Sequence, residues 1–489
     1  GDDAKTTEEY TIALGSRSKA KNIYAIAMGD LAEATGQGAT AIGSQSKSTA
    51  LHSLAVGDQA QAMAVNSSAY GILSKALSSH SVAIGNEASV GKGDPDSVSS
   101  QNGIAIGNGA NVTVNPATAT PGITDKSGGI AIGHDATTKD INTIALGTGT
   151  IGQGAQAVAI GRNARTIANN GVAIGNEART QSTNGFALGN NARAGFDENN
   201  VLVGRDNDQA FGSNARAWGG SSMAFGNNAK AANGGAIAMG NGSQSRGDWG
   251  VAIGNGAKAL ATGARALGAN SKASGVNAAA IGWDSEASGA SSIAVGEMVK
   301  STGTNSVAIG TGAKATNENA VALGAGSETA LTVVTSSATI NGTVHNFAGV
   351  NPASTVSVGK AGSERTITNV AAGRISVAST DAINGSQLYA VTSEIDKGVA
   401  YAGDVKAAAA TNKFTRKLGE QTNIVGGVAD ASKLTDGNIG VVSDGTDTLN
   451  IKLAKNVKVD SVTTGNTVIN NNGLTVGGKN YVTNSGINA

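Results

Sequence analysis

Few side chains in this sequence of 489 residues have the types and spacing that catalysis or metal binding requires. The four histidines, His52, His80, His134 and His345, are far apart, and no Ser/His/Asp set or metal-spaced cluster surrounds them. Cysteine is absent, which excludes disulfides and thiolate zinc sites. The stretch 147–152 has the spacing of a nucleotide-binding loop, but no helical pattern follows it. We therefore expect no enzyme activity, no cofactor and no metal.

One tripeptide has the chemistry of a binding motif instead. Arg246, Gly247 and Asp248 place a cation and an anion on either side of a glycine, an arrangement that integrins recognise. The tripeptide lies six to eight residues after Gly240 and is followed by Trp249, at a position where the chain should turn. We expect it to be exposed, and it is a candidate ligand site.

The composition excludes several classes of protein. Glycine accounts for 71 residues and aromatic residues for only 3%, unlike ordinary globular domains. Lys plus Arg equals Asp plus Glu at 35 each, so the net charge is zero and we expect no nucleic-acid binding. No apolar run approaches the ~18 residues of a transmembrane helix, and residues 1–10 do not resemble a signal peptide. We expect no membrane insertion by this chain.

The elements that carry these side chains come from a repeat. A phrase close to aliphatic-Ala-aliphatic-Gly recurs from Gly15 to Gly324, with 22 anchor glycines that include Gly204, and 17 of the 21 intervals are 14 residues long. A fixed period over some 310 residues predicts a solenoid. Each turn contains two short alternating pieces separated by Gly/Asn turns, which predicts two strands per turn and parallel pairing between turns.

The alternation within each turn predicts two faces. We expect Val172 and Ile174, and likewise Phe186 and Leu188, to form a thin core. The residue between the aliphatics is nearly always alanine, as at Ala173 and Ala187, and such a row would suit close packing against identical chains. The sequence therefore predicts lateral association through the alanine rows.

The pattern changes after the last anchor. Leu388, Val391 and Ile395 have coiled-coil spacing, and residues 404–418 could form a short helix that starts at Asp404 and stops at Gly419. From residue 436 onward, alternation and the turns at 443–447 and 470–473 predict β-structure.

Three stretches resemble modules of one family. The VAIG repeats are similar to the YadA-like head of trimeric autotransporter adhesins, and SVGKAGSERTITNVAAGRI with TDAINGSQL at 380–388 resembles the family's neck. Residues 437–478, with GINA at 486–489, resemble its Trp-ring and GIN modules, although Trp218, Trp249 and Trp283 all lie in the head. The family's export signal and C-terminal anchor barrel are not evident, so we expect a passenger fragment.

The resemblance implies an all-β architecture, dominated by a trimeric left-handed parallel β-roll and followed by a neck, a short coiled coil and a small β-rich stalk domain. The expected domains are a head at 1–330 with inserts near 86–106 and 108–132, an insert and neck at 331–387, a coiled coil at 388–403, and a Trp-ring/GIN-like module at 404–489. The two inserts interrupt the period and are candidate binding loops.

The resemblance also implies a function. It predicts a non-enzymatic surface adhesin, anchored in the bacterial outer membrane, that forms a homotrimer and binds collagen, fibronectin, laminin, host-cell receptors or other bacterial cells. The motif NSVAIG, linked to collagen binding in the family, comprises Asn305, Ser306, Val307, Ala308, Ile309 and Gly310. We expect Asn305 and Ser306 to be its exposed contacts. The alternative is a hexapeptide-type β-helix acyltransferase, against which the period of 14 argues because it is not a multiple of six.

Overall fold

A computed structural model describes residues 1–91, 101–113, 128–203, 205–404, 413–446 and 448–488. The chain divides into two compact units. The first consists of Gly1–Asn369 with Ser376–Thr380, and the second of Val370–Ile375 with Asp381–Ala489.

The first unit contains the predicted parallel β-solenoid, which is confirmed. Each turn contributes one three-residue strand to a first sheet and one two-residue strand to a second sheet, and both sheets are parallel. The strands of the first sheet are Ile12–Leu14, Ile26–Met28, Thr40–Ile42, Leu54–Val56, Ser68–Tyr70, Val82–Ile84, Ile104–Ile106, Ile130–Ile132, Ile144–Leu146, Val158–Ile160, Val172–Ile174, Phe186–Leu188, Gln209–Phe211, Met223–Phe225, Ile237–Met239, Val251–Ile253, Arg265–Leu267, Ala279–Ile281, Ile293–Val295, Val307–Ile309, Val321–Leu323 and Val356–Ser357.

The second sheet has 21 strands among the described residues. They are Lys5–Thr6, Lys19–Ala20, Glu33–Ala34, Lys47–Ser48, Gln61–Ala62, Lys75–Ala76, Ser89–Val90, Asn111–Val112, Thr137–Thr138, Ile151–Gly152, Arg165–Thr166, Arg179–Thr180, Arg193–Ala194, Arg216–Ala217, Lys230–Ala231, Gln244–Ser245, Lys258–Ala259, Lys272–Ala273, Glu286–Ala287, Lys300–Ser301 and Lys314–Ala315. A hairpin of Ser337–Ile340 and Thr343–Asn346 follows the solenoid.

The core of each turn is made of small residues, and the predicted orientation of the strands is wrong. Ala173 and Ala187 are fully buried between the two sheets. Val172 is half-buried and Leu188 is 40% exposed, so the aliphatic side chains point out of the turn. Alternation shows which residues share a face but not which face is inside. With strands of only three and two residues, the sheets lie so close together that the methyl group of alanine fills the space.

This orientation predicts unequal effects of enlarging neighbouring residues. Ala173→Leu inserts three extra carbons into a filled core and is expected to lower the free energy of unfolding by about 1–3 kcal/mol. Val172→Leu, on the outward face of the same strand, is the matched control and should change it by less than about 1 kcal/mol. Urea denaturation followed by circular dichroism measures both. Equal effects would contradict the alanine core.

Asparagine stabilises many of the turns between strands. At Asn170 and Asn184 the backbone is left-handed, with φ of +54° and +55°. Asn tolerates this conformation better than most residues because its short amide can bond locally. The Asn170 Nδ2 donates to Asn184 Oδ1 of the next turn at 3.0 Å. The repeat thus adds side-chain hydrogen bonds between turns to the backbone pairing.

One predicted turn is not present. Phe186–Leu188 pairs directly with Gln209–Phe211, so Gly189 and Gly212 close successive turns. The anchor assigned to Gly204 lies outside the described residues, and no strand of either sheet comes from the described residues between the two turns. The phrase VLVG at 201–204 resembles the repeat in composition alone. The segment instead carries a loop, 195–203, that lies beside the second sheet.

The second unit begins with a helix, Gly385–Asp396, which contains the predicted coiled-coil residues. Asn384 caps it, because its Oδ1 accepts from the Gln387 backbone N–H at 3.3 Å and the Gln387 Oε1 accepts from the Asn384 N–H at 3.2 Å. The segment 388–403 is therefore helical only to Asp396.

Strands follow this helix. Val399–Ala402 pairs antiparallel with Lys413–Arg416. The helix predicted at 404–418 is thus wrong at its C-terminal end, where alternating Phe414 and Arg416 belong to a strand, while residues 405–412 lie outside the described part.

The rest of the second unit is β-structure, as expected from residue 436 onward. It contains a 3₁₀ turn at Ala431–Lys433, a hairpin of Ile439–Ser443 and Leu449–Leu453, and an antiparallel sheet of Ser461–Thr464, Thr467–Asn470, Gly473–Val476, Lys479–Thr483 and Gly486–Ile487.

In the hairpin loop, backbone N–H groups of Thr446 and Thr448 donate to Asp444 and lower the pKa of its carboxyl to about 2. Of residues 381–488, no apolar side chain in the described part is buried.

Candidate adhesion surfaces

The NSVAIG motif exposes different side chains from those expected. Asn305 is exposed in a left-handed turn, and its Nδ2 donates to Asn319 Oδ1 at 3.1 Å. Ser306 is fully buried, and its Oγ donates to the Gly303 carbonyl at 2.6 Å, so its assignment as an exposed contact is wrong. Ala308 is also buried, whereas Ile309 is 39% exposed. The accessible part of the motif is therefore Asn305 with the outward aliphatic side chains, and Gly310 turns the chain behind them.

The Arg-Gly-Asp tripeptide lies on a turn, with Arg246 and Asp248 exposed and Gly247 buried. Both charges have partners within the chain. Asp248 Oδ1 accepts from the Gly234 N–H at 3.0 Å, and Arg246 Nη2 lies 3.4 Å from Glu198 Oε2. Arg246 and Asp248 are thus accessible but held by neighbouring turns.

Trp249 follows the tripeptide and has an unusual conformation. Its φ is +58°, which bulky residues rarely adopt, and 72% of the residue is exposed. One face of the indole lies against Gly235 in the preceding turn, where a side chain would collide with the ring. The opposite face of the indole is exposed and is available to a ligand.

The loop 195–203 contacts both Arg246 of the tripeptide and the second sheet, through Glu198. Phe196 and Leu202 form an antiparallel bridge at its base, and Phe196 is only 5% exposed. Glu198 at its tip lies 3.3 Å from Lys230 Nζ and 3.4 Å from Arg246 Nη2. Sequence reasoning missed Glu198, because its partners lie 32 and 48 residues away.

Removing the Glu198 carboxylate should free Arg246. Glu198→Gln is expected to increase the reactivity of Arg246 toward an arginine-specific reagent, measured by mass spectrometry, and to change the free energy of unfolding by less than about 1 kcal/mol. Glu177→Gln is the control, because Glu177 lies 3.9 Å from Arg162 instead. Unchanged reactivity of Arg246 would show that the pair does not restrain it.

The two candidate motifs do not form one site. The tripeptide precedes strand Val251–Ile253 and Asn305 precedes strand Val307–Ile309, four turns later on the same edge of the solenoid. At about 4.8 Å per turn, roughly 20 Å separates them.

The two predicted binding loops, 86–106 and 108–132, include residues 92–100 and 114–127, which lie outside the described residues. The prediction that these loops bind a ligand therefore stays a prediction.

The largest exposed apolar surface lies on the first sheet. Among the described strands of three residues, the third position is apolar or aromatic in all 21 turns, and the first position is apolar in 17. Many of these side chains are more than one third exposed, including Ile253, Ile281 and Leu323. Sequence reasoning identified these residues but assigned them to the core.

The described residues contain no cluster of three or more potential metal ligands, and none of their helices is long and apolar enough to cross a bilayer. His134 Nδ1 lies 3.2 Å from Asp135, and His80 Nε2 lies 3.1 Å from Asn66 Nδ2. His52, His80 and His134 lie on separate turns of the solenoid, and His345 lies in the hairpin strand Thr343–Asn346.

Two family models match the chain. The model described as "YadA head domain repeat (2 copies)" matches residues 7–32, 34–60, 62–88, 126–150, 153–178, 167–192, 210–229, 219–243, 246–271, 273–296 and 301–327. The model described as "Coiled stalk of trimeric autotransporter adhesin" matches residues 366–411. The head matches together cover more than half of the chain.

Individual proteins show the same similarity over shorter stretches. The chain is 63% identical over 70 residues to the autotransporter adhesin BtaE of Brucella suis, covering 14% of this chain and 10% of BtaE. It is 30% identical over 131 residues to the trimeric autotransporter adhesin AtaA of Acinetobacter, covering 24% of this chain and 4% of AtaA. The chain thus matches no more than a tenth of either relative.

Among solved structures, the C-terminal YadA-like domain of BPSL2063 from Burkholderia pseudomallei is 57% identical, with a TM-score of 0.20, and the match covers 20% of this chain and 45% of that one. Head repeats over more than half of the sequence, followed by a stalk match, show that the chain belongs to the family of YadA-like trimeric autotransporter adhesins.

Proposed function

We propose that this chain is the head, neck and upper stalk of a non-enzymatic bacterial surface adhesin that works as a homotrimer. The observation that carries the proposal is the exposed apolar face of the first sheet, which runs through every described turn. Soluble monomers rarely leave a continuous apolar surface of this size in water. Packing against two identical chains would cover it.

The second unit supports the same assembly. Its helix exposes Leu388, Val391 and Ile395 on one stripe, each more than half exposed. A single helix of 12 residues with no buried side chain has little stability by itself. Three such helices packed along this seam would bury it.

The proposed ligands are host matrix proteins, with collagen, fibronectin and laminin as candidates, together with host-cell receptors and other bacterial cells. Asn305, Val307, Ile309 and the residues 246–248 are the proposed contacts. Trimer formation presents each site three times, so avidity would raise a weak affinity by about 10²–10⁴-fold where the geometry permits. Display would be on the bacterial outer membrane. The family match gives no support to an acyltransferase.

Solid-phase binding to collagen, fibronectin and laminin tests the proposal. Asn305→Ala should weaken collagen binding by about tenfold, because three copies are lost at once. Asn277→Ala is the matched control, since Asn277 has the same left-handed conformation, φ +57° against +55°, two turns earlier. Equal loss in both variants would indicate a structural effect, and binding to none of the three proteins would overturn the matrix proposal.

A further inference from the structure

The outward positions of the second sheet carry an unbalanced charge. In each two-residue strand the first residue points away from the core, and 13 of these 21 positions in the described strands are Lys or Arg, whereas two are Glu. The whole chain has equal numbers of both charges. We call this column the cation ladder; its cations are Lys5, Lys19, Lys47, Lys75, Arg165, Arg179, Arg193, Arg216, Lys230, Lys258, Lys272, Lys300 and Lys314.

The ladder is densest in the middle of the head. Arg165 pairs in register with Arg179, Arg179 with Arg193, and Arg193 with Arg216, and Lys230 follows. Five cations therefore stand on five successive turns, at about 4.8 Å from one backbone to the next. Like charges at this spacing repel each other unless an anion lies between them.

Part of this segment makes no ion pair among the described residues, although the charge of Glu177 acts on Arg193. Lys230 pairs with Glu198, and Arg216 Nη1 donates to the backbone carbonyl of Glu198 at 2.8 Å. Arg165, Arg179 and Arg193 make no ion pair with any described residue. Arg165 and Arg179, which are partly exposed, are thus available to an external anion, whereas Arg193 is buried.

Arg193 is the buried end of this open segment. It is only 7% exposed, and its Nε and Nη2 donate to Asn191 Oδ1 at 3.1 and 2.7 Å. Its Nη1 is buried without a hydrogen-bond partner among the described residues, as are the Nε atoms of Arg165 and Arg179. Burial, followed by the charges of Arg179 and Arg216, lowers the pKa of Arg193. Unsatisfied buried donors of this kind are costly.

The geometry indicates the kind of anion. The ladder is a single column of residues in register, and successive turns are about 4.8 Å apart, close to the length of one sugar ring. No outward position of the described second-sheet strands carries an aromatic residue, although stacking on aromatics is how single-stranded nucleic acids are usually bound. The apolar first sheet is the face proposed to meet sister chains, which leaves the charged sheet for solvent.

We propose that the cation ladder binds a linear anionic polysaccharide, whose sulfate or carboxylate groups pair with Arg165 and Arg179. Guanidinium groups bind both anions in bidentate fashion, which suits arginine better than lysine at the centre of the site. The lysines toward both ends of the head extend the contact along the chain of the polymer. Arg165 and Arg179 lie on other turns than the proposed matrix contacts at Asn305 and at 246–248.

Binding of a heparin oligosaccharide and of polygalacturonate to the full chain tests the proposal and separates sulfate from carboxylate recognition. Arg165→Gln with Arg179→Gln should weaken binding of at least one polymer about tenfold or more, because two charge-assisted contacts are lost per chain. Lys139→Gln with Arg162→Gln is the control, since it removes the same charge from exposed positions outside the ladder. Binding should also weaken with added salt.

A conservative variant separates recognition from folding. Arg165→Lys with Arg179→Lys keeps both charges but loses the bidentate geometry, so its affinity should lie between those of the parent and of the Gln variant. All variants should keep the circular dichroism spectrum and collagen binding of the parent. The proposal is overturned if neither polymer binds, if the control variant loses as much affinity as the ladder variant, or if double-stranded DNA binds more tightly than both polysaccharides. The last outcome would assign the ladder to nucleic acid.

Discussion

Gly175→Ala is expected to lower the free energy of unfolding of the head by about 3 kcal/mol or more. Gly175 closes the strand Val172–Ile174 with φ of +134°, a conformation that residues with a Cβ rarely adopt. An added Cβ would also meet the backbone carbonyl of Gly189, the equivalent glycine of the next turn. That atom belongs to the stacked backbone, so relief requires the two turns to move apart.

The control for this substitution is Gly312→Ala. Gly312 also has positive φ, +67°, but nothing lies within 4 Å of the position where its Cβ would be. It should lose only about 1 kcal/mol, from the backbone conformation alone. Thermal unfolding of both variants, followed by circular dichroism, measures the difference. Similar losses at the two positions would show that close stacking of the anchor glycines contributes nothing to stability.

These glycines explain why the period could be predicted from the sequence. At the described anchors from Gly15 to Gly310 the next turn's backbone comes too close for a side chain, so glycine recurs where these strands of the first sheet end. The same recurrence fixes the register, since equivalent residues such as Ala173 and Ala187 pair directly. Where the spacing is irregular, composition alone misleads, and Gly204 was assigned to a turn that the strand pairing does not contain.

The inside and outside of each turn could not be predicted from the same pattern. Val172 and Ile174 are more apolar than Ala173, so an isolated chain would place them inside. The structure places them on the outer face, where the proposed packing against sister chains would cover them. The prediction that the alanine rows pack against identical chains is wrong, because these alanines are buried between the two sheets of one chain.

Candidate binding residues could be predicted from the sequence only where they are adjacent in the chain. The Arg-Gly-Asp tripeptide and Asn305 can be read directly, and both are exposed. The cation ladder cannot be recognised as a charge cluster, since its members are 14 or more residues apart in a chain with equal numbers of both charges. Only the parallel register brings Arg165 and Arg179 together. A net charge of zero for the whole chain therefore does not exclude a strongly positive surface on one sheet of the solenoid.

The strongest test of the assembly places charge on the outward face of the first sheet. The unmodified chain should have three times the 47.8 kDa mass of one chain by light scattering. Ile253→Asp with Ile281→Asp puts two carboxylates per chain, six per trimer, into the apolar surface that sister chains would share. Both side chains are 38% exposed in the single chain, so each turn should tolerate the change by itself.

In the trimer the same carboxylates would lose water without gaining a partner, at a cost of several kcal/mol each. We expect the urea concentration at which the trimer dissociates to fall sharply for this variant. Asn241→Asp with Asn255→Asp adds the same charge at exposed turn positions of the same region and should leave that concentration nearly unchanged. A parent chain with the mass of a monomer, or equal behaviour of the two variants, would contradict association through the first sheet. A loss confined to the isoleucine variant would show that the outward aliphatic residues, rather than the alanine rows, hold the chains together.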